Sequence, residues 1–550
     1  MVRRRLAFAL GCVLAVGAAA CDSYGLSDAP SPSSNRATGG ANGGEPAQSG
    51  GTIVREGYFD ADDRAARMRL EIKNVQRLGP NAVLNFTVTN LDPRPAYGSS
   101  MFGASRLDGS FSGFQLLDTV GRKLYYTLRR DNDFGSAFGS NYNLTRLQPQ
   151  VRYAAHVYFP APPPGVRQIT VITSGTTAEI PGVPVVDGGA PPSTTADQPR
   201  TTPAPGQSAT LAVRPPTGKI WQKTEDLYDI VEGRDATTTS GGGGETIAFP
   251  ADVLFAFDSA TLTGKARQVI AAAAADLKGR ADPAKPVGVE GHTDGKGELS
   301  HNQPLSERRA AAVRDALREG LAGQTYDFRA SGKADSEPVA KETTAAGADN
   351  PKGRARNRRV EISYTLRQPG GAGPGAAGSV SSGVAKRGDA GPPARFRGGD
   401  GSVVAERTAA VDTANVPGGE RFRLRVHPFY RNGAYLTAVF ELTNIGRDNL
   451  NRPSGFRGYF SADDFVGGDF GSFKVVASDG TVYRAVRQGA QPPNAAVEAA
   501  IAKFLSGGII VQQPNVPGRT YVYVPAPPRN VSSVTFDAGP FGKIPNVPVE

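Results

Sequence analysis

The sequence predicts a multidomain chain: a central α+β domain, two layers deep and built on a split βαβ arrangement, between two all-β sandwiches. Three observations predict it. In the middle of the chain, runs of strand character alternate with runs of helical period. On either side, period-two strands recur in the same order. Between these regions lie stretches of Gly, Pro, Ser and Thr with few large apolar side chains, which read as linkers.

The chain opens on Arg3, Arg4 and Arg5, an apolar run from Leu6 to Val16, small residues Gly17 to Ala20, and then Cys21. This is the layout of a signal peptide, residues 1–21, too short to span a membrane. Export is therefore expected. Cys21 stands where a lipoprotein carries its modified cysteine, so lipidation at Cys21 is expected, although Ala18 occupies the place where such signals usually carry Leu. Plain cleavage before Cys21 is the alternative. A twin-arginine signal finds no support downstream, where nothing suggests a cofactor loaded before export.

Cys12 and Cys21 are the only cysteines, and both lie in the leader, so no internal disulfide is expected in the mature domains. The formal charge of +10 would suit nucleic acid, but part of the excess sits in the leader and export argues against that partner. Wall polyanions or anionic lipid headgroups fit better. Residues 22–60, mostly Ser, Gly, Asn and Pro at first, read as a disordered tether.

Residues 61–188 form the first β module. Ala82, Leu84, Phe86 and Val88 alternate with their neighbours and end at Thr89-Asn90, as a half-buried strand should. Further strands are expected at 114–117, 123–128 and 157–159, and no helix of any length. The pattern returns at 419–550. Arg69-Leu70 to Thr89-Asn90 aligns without a gap on Arg423-Leu424 to Thr443-Asn444. Tyr158-Phe159-Pro160-Ala161-Pro162-Pro163 matches Tyr523-Val524-Pro525-Ala526-Pro527-Pro528, and Ile180 to Val185 matches Ile544 to Val549. Blocks repeated in one order mark an internal duplication, so both copies should share a fold.

Residues 189–245 read as a linker, within which the segment around Trp221 and Tyr228 is apolar enough to pack on a neighbour. Residues 367–418 read as a second, Gly/Ala/Pro-rich linker, so the flanking domains should move independently.

In the central domain, 246–366, Val253 to Phe257 reads as a strand and Thr263 as the cap of a helix carrying Val269, Ile270, Ala273 and Leu277 on one side. Val287 to Glu290 is the next strand. Asn302 reads as an N-cap, with Pro304 in the first turn and Leu305, Val313, Ala316, Leu317 and Leu321 on one helix face. Phe328 opens a third strand and Val360 to Leu366 forms a last one. Asp294, after the apolar strand, and Arg309, early in the helix, would meet at one rim, where a zwitterion could bind.

These residues carry a resemblance. Phe257-Asp258-Ser259, Gly291-His292-Thr293-Asp294, Asn302, Leu305-Ser306, Arg309-Ala310 and Gly353 to Glu361 resemble the OmpA C-terminal-like family, over about 246–366. The resemblance implies non-covalent peptidoglycan binding. It implies that Asp294 holds the ammonium of a diaminopimelate in the stem peptide and Arg309 its carboxylate, with Thr293, Asn302, Phe257 and Asp258 closing the pocket. Physical chemistry agrees, since the far end of diaminopimelate needs one anion and one planar, bidentate cation. In the basic cluster Lys352, Arg354, Arg356, Arg358 and Arg359, alternation would place Arg354, Arg356 and Arg358 on one side of an edge strand; the cluster reads as mainly structural, with glycan or ligand contact as the alternative. The flanking modules resemble, in pattern, the immunoglobulin-like sandwiches of exported bacterial lipoproteins, working as spacers or as binders of an unknown partner.

Catalysis finds little to work with. His156, His292, His301 and His427 are the only histidines; none has metal-ligand spacing, and no nucleophile elbow or P-loop occurs. No cofactor, metal or enzymatic activity is expected. Peptidoglycan processing through paired carboxylates is the alternative, as is adhesion through the β modules. Without a spanning helix beyond the leader, or a ladder of amphipathic strands, neither a stator nor an outer-membrane barrel is expected. The expected place is the cell envelope, membrane-anchored and facing the wall, at the outer membrane or the outer face of the inner one.

Overall fold

The computed structural model describes residues 51–61, 64–98, 101–103, 109–142, 146–193, 202–323, 325–344, 347–367, 387–413, 416–447, 470–490, 503–507 and 513–550. The leader with Cys12 and Cys21, and the tether as far as residue 50, lie outside the described residues. Strand far outweighs helix in the rest, and the α-helices among the described residues all belong to the central domain.

The first module has two sheets. Ile53–Asp60, Ala65–Leu78, Asn81–Asn90 and Arg152–Pro160 pair antiparallel in that order. Lys123–Tyr126, Gln115–Asp118, Gln168–Ile172 and Glu179–Asp187 form the other. The alternating residues Ala82, Leu84, Phe86 and Val88 are buried in one core with Phe102, Phe111 and Phe114. The second module repeats this plan. Ala405–Thr413, Val416–Val426, Tyr435–Asn444 and Pro517–Pro525 pair in the same order, and Val482–Arg484, Lys474–Val476, Ser533–Asp537 and Lys543–Pro548 follow. Register repeats too: Leu70 faces Val88 as Leu424 faces Leu442.

The stretch expected as the first linker, 189–245, is instead strand-rich. Thr224–Glu232 pairs with Lys123–Tyr126 of the first module, with Val482–Arg484 and Arg487–Gln488 of the second, and with Thr237–Gly241. Thr237–Gly241 then pairs with Gly244–Pro250 of the central domain. Short Thr- and Ser-bearing strands lack the apolar alternation that marks a strand in sequence; distant partners, not local pattern, order them. The tether likewise ends early, because Ile53–Asp60 is a strand along Ala65–Leu78. In the second linker, Arg387 pairs with buried Asp229 at 3.0 Å and Phe396 packs on the first module's core. Independent motion of the modules is therefore not what the structure shows. Leu117, Leu124, Tyr126 and Ile172 share a core with Leu227, Tyr435, Tyr521 and Tyr523.

In the central domain the sheet order is Gly244–Pro250, Arg359–Thr365, Val287–His292 and Phe328–Ala334. The last two are parallel, joined through helix Leu299–Gly320 as a βαβ crossover. Helices Gly264–Arg280 and Leu299–Gly320 pack Ile270, Ala273, Leu277, Val313 and Leu317 against Val287, Val289, Val360 and Ile362, which makes the two layers. Thr263 caps its helix by accepting from the Ala266 N–H at 3.0 Å. Two expected elements are corrected. The strand precedes Val253, and Ala251–Leu254 is a single helical turn closed by Phe255 N–H to Ala251 O at 2.8 Å. Helix Leu299–Gly320 starts at Glu298 rather than Asn302, because His301 and Asn302 N–H groups already bond the Glu298 carbonyl, at 2.9 and 3.0 Å.

Candidate functional site

Strand Val287–His292 ends at a close crossing. A Cβ on Gly291 would lie 2.2 Å from the Ser306 carbonyl oxygen, so only glycine lets helix Leu299–Gly320 sit this near the strand. Ser306 Oγ clinches the contact by accepting from the Ala334 N–H at 3.2 Å. That closeness places Thr293 and Asp294 beside the first turns of the helix.

Asp294 is mostly buried. Its Oδ1 accepts from the Lys296 N–H at 3.2 Å, and its Oδ2 accepts from Arg358 Nη1 at 2.8 Å, with Arg354 Nε 3.9 Å away. Arg358 also reaches Asp252, Nη2 to Oδ2, at 2.8 Å. Hydrogen bonding to Asp252, then to Asp294, holds its pKa above the usual arginine value. Arg309 is buried, lies over the Phe255 ring at 5.3 Å and donates through Nε to the Ser259 carbonyl at 2.9 Å. Burial lowers its pKa, while Asp252, Asp258 and Asp294 raise it. Asp294 and Arg309 thus share one electrostatic neighbourhood.

The other expected residues fall around this pair. Asn302 Nδ2 donates to the Lys296 carbonyl at 3.0 Å and shapes the turn after Asp294. Thr293 Oγ1 is buried and has no hydrogen-bond partner among the described residues. Asp258, in the left-handed region with φ 54°, contacts His301 Nε2 at 2.7 Å. Phe257, next to it, is fully exposed. The loop therefore presents an apolar ring while its backbone is fixed to the helix through Asp258 and Ser259.

The basic cluster is placed differently from the edge strand expected. Pro351–Asn357 is a helix whose cap, Asn350, accepts from the Gly353 N–H at 3.2 Å. Asn350-Pro351, a cap residue followed by proline, was the available signal. Within the triplet Asn357-Arg358-Arg359, roles divide. Asn357 accepts from the Val339 and Ala340 N–H groups at 2.9 and 3.0 Å and donates to Glu342 at 2.7 Å, and Glu342 in turn accepts from the Gly295 N–H at 2.9 Å. Arg359 turns to Glu361 and the Glu337 carbonyl. Arg358 alone of the three reaches Asp294, which the sequence reading missed.

The domain is thus a two-layer α/β fold with a mostly buried carboxylate, Asp294, held by Arg358 and near Arg354. Residues 254–352 match the OmpA family. Outer membrane porin F of Pseudomonas aeruginosa is 40% identical over 122 residues, 21% of this chain and 31% of that protein. The peptidoglycan-associated lipoprotein of Haemophilus influenzae is 36% identical over 112 residues, 20% of this chain and 67% of that protein. Photosystem I P700 chlorophyll a apoprotein A2 of Gloeobacter violaceus is 36% identical over 120 residues, 22% of this chain and 13% of that protein. The chain spans only 13%, 31% and 55% of the first three curated relatives it matches. Through its central domain the chain belongs to the OmpA family.

Proposed function

We propose that the central domain binds peptidoglycan non-covalently through the diaminopimelate of the stem peptide, and that the protein tethers a membrane to the wall without catalysing a reaction. The observation that supports this reading is the mostly buried Asp294 carboxylate, bonded to Arg358 at 2.8 Å, with the Arg309 guanidinium buried on helix Leu299–Gly320 nearby in sequence. Asp294 takes the ligand ammonium and Arg309 its carboxylate, with Thr293 Oγ1 available as a further polar contact. Arg358 holds Asp294 in this structure, so the ammonium shares or displaces it, and Asp252 retains the released guanidinium. Two or three charge-assisted bonds of about 1.5–3 kcal/mol each, less the cost of association, suggest roughly micromolar affinity. The name of the Haemophilus relative supports wall association.

In the same reading Cys21 is lipidated, the protein sits in the cell envelope facing the wall, and the immunoglobulin-like modules flank the binding domain as spacers. The test is co-sedimentation with purified peptidoglycan of the chain from Asp22 onward. The whole chain is used because the central sheet continues into Thr237–Gly241 and Thr224–Glu232. The parent should pellet and free diaminopimelate should release it, while folded Asp294→Ala and Arg309→Ala variants stay in solution. Variants that pellet like the parent would refute the assigned pair, and a parent that never pellets would refute wall binding itself.

A further inference from the structure

We propose that Glu290, His292 and Glu337 form a binding site for one borderline divalent transition cation, with zinc as the type, outside the Asp294 pocket. One ligand atom from each of the three residues lies within 4.8 Å of the others. Both glutamates are half-buried, so their carboxylates have room to close the remaining distance around an ion.

The second, independent observation is His292. It is 1% exposed, and neither ring nitrogen has a hydrogen-bond partner among the described residues. An imidazole left so, with an unpaired N–H and an unpaired lone pair, carries the full cost of its desolvation. A neutral imidazole offers one lone pair for coordination, and neither nitrogen of this ring is otherwise engaged among the described residues. An imidazole with two carboxylates favours zinc-like ions over calcium or magnesium, which prefer all-oxygen sites.

Lys333 completes the picture. The pairing of Val287–His292 with Phe328–Ala334 slips by one residue, so that Gly291 faces Gly332 while His292 faces Ala334, and Lys333 is the extra residue between them. Its ammonium lies 3.3 Å from Glu290 and 3.1 Å from Glu337. In this structure, therefore, Lys333 is the cation between the two carboxylates, and a metal ion must displace it. A bound ion would tie the strand leading to Thr293 and Asp294 to the segment at Glu337, whose carbonyl accepts from Arg359. The inference does not rest on the wall-binding reading.

Zinc titrated by competition with a chromogenic chelator tests it, on the chain from Asp22 onward, which carries no thiol. The expected result is one zinc per chain. Glu290→Gln and Glu337→Gln should each weaken uptake by at least the roughly 10- to 100-fold that loss of even an outer-shell partner costs. Lys333→Met should tighten it, because the competing ammonium is gone. Histidine-selective nitrogen NMR should show the His292 ring shifting as zinc is added. No uptake by the parent and by Lys333→Met, or uptake that neither glutamine variant weakens, would overturn the site; thermal melts without zinc verify that each variant is folded.

Discussion

His292 shows what a single side chain costs here. Its folded-state pKa, about 3, lies well below the value of about 6.5 for an exposed histidine. The unfolded chain therefore binds a proton that the folded chain refuses, and stability rises with pH across that window. The contribution is complete above pH ~6.5 and lost at up to about 1.4 kcal/mol per pH unit as pH falls toward 3. Denaturant unfolding at pH 7 and pH 4.5 should show this loss, and His292→Leu should flatten it; an unchanged slope in the variant sinks the assignment. Arg309 gives a second test at this scale. Arg309→Lys keeps the charge but loses the planar fork, so wall binding should fall by roughly tenfold or more in the sedimentation assay while the fold survives. Of the proposed site, Asp294 and Arg309 are legible in the sequence because a family pattern and simple charge logic coincide there. Arg358 is not legible in the same way because alternating arginines read as a strand, although Asn350-Pro351 opens a helix that turns Arg354 and Arg358 toward Asp294.

At the scale of elements, the strands that were legible are those whose own pattern decides their burial. Leu84, Phe86 and Val88 face one core and their neighbours do not, so period two is written in the segment itself. Thr224–Glu232 is different, because parts of it meet partners in each flanking module and nothing local announces them. Its Asp229 is 1% exposed and lies 3.0 Å from Arg387 and 3.4 Å from Arg122. Asp229→Ala strands two partly buried guanidinium groups and should cost about 3–5 kcal/mol in denaturant unfolding. A loss below about 1 kcal/mol would return this stretch to the role of a linker. Gly291 offers a contrasting case. Gly291→Ala pushes helix Leu299–Gly320 off the strand, because the obstructing atom, the Ser306 carbonyl oxygen, belongs to backbone. We expect roughly 1–3 kcal/mol of destabilisation, together with weaker wall binding, since Asn302 and Arg309 ride on that helix.

For the whole body from residue 50 onward, one compact unit, the decisive joint is a charge network between the β modules. Glu179 of the first module is wholly buried. Both its oxygens accept from Arg519 of the second, at 2.6 and 2.8 Å, and Tyr430 donates to it at 2.9 Å. Arg519 also grips Asp400, at 2.6 and 2.7 Å. Such a network adds little net stability when intact, because desolvation offsets attraction, but losing one partner leaves a charge with no water to hold it. Arg519→Met should therefore cost about 3–5 kcal/mol, and the loss should fall on the joint. Denaturant unfolding followed by Trp221 fluorescence and by far-ultraviolet dichroism should coincide in the parent and separate in the variant, as the modules part before either melts. The double variant Glu179→Leu with Arg519→Met removes the Glu179–Arg519 pair and should recover part of the loss, since Asp400 still lacks its Arg519 partner. If Arg519→Met melts in one coincident transition with a loss below about 1 kcal/mol, the modules are held by the apolar contacts around Tyr435, Tyr521 and Tyr523 instead. If the transitions separate, the two modules are locked to each other by this buried charge network rather than joined only by flexible linkers.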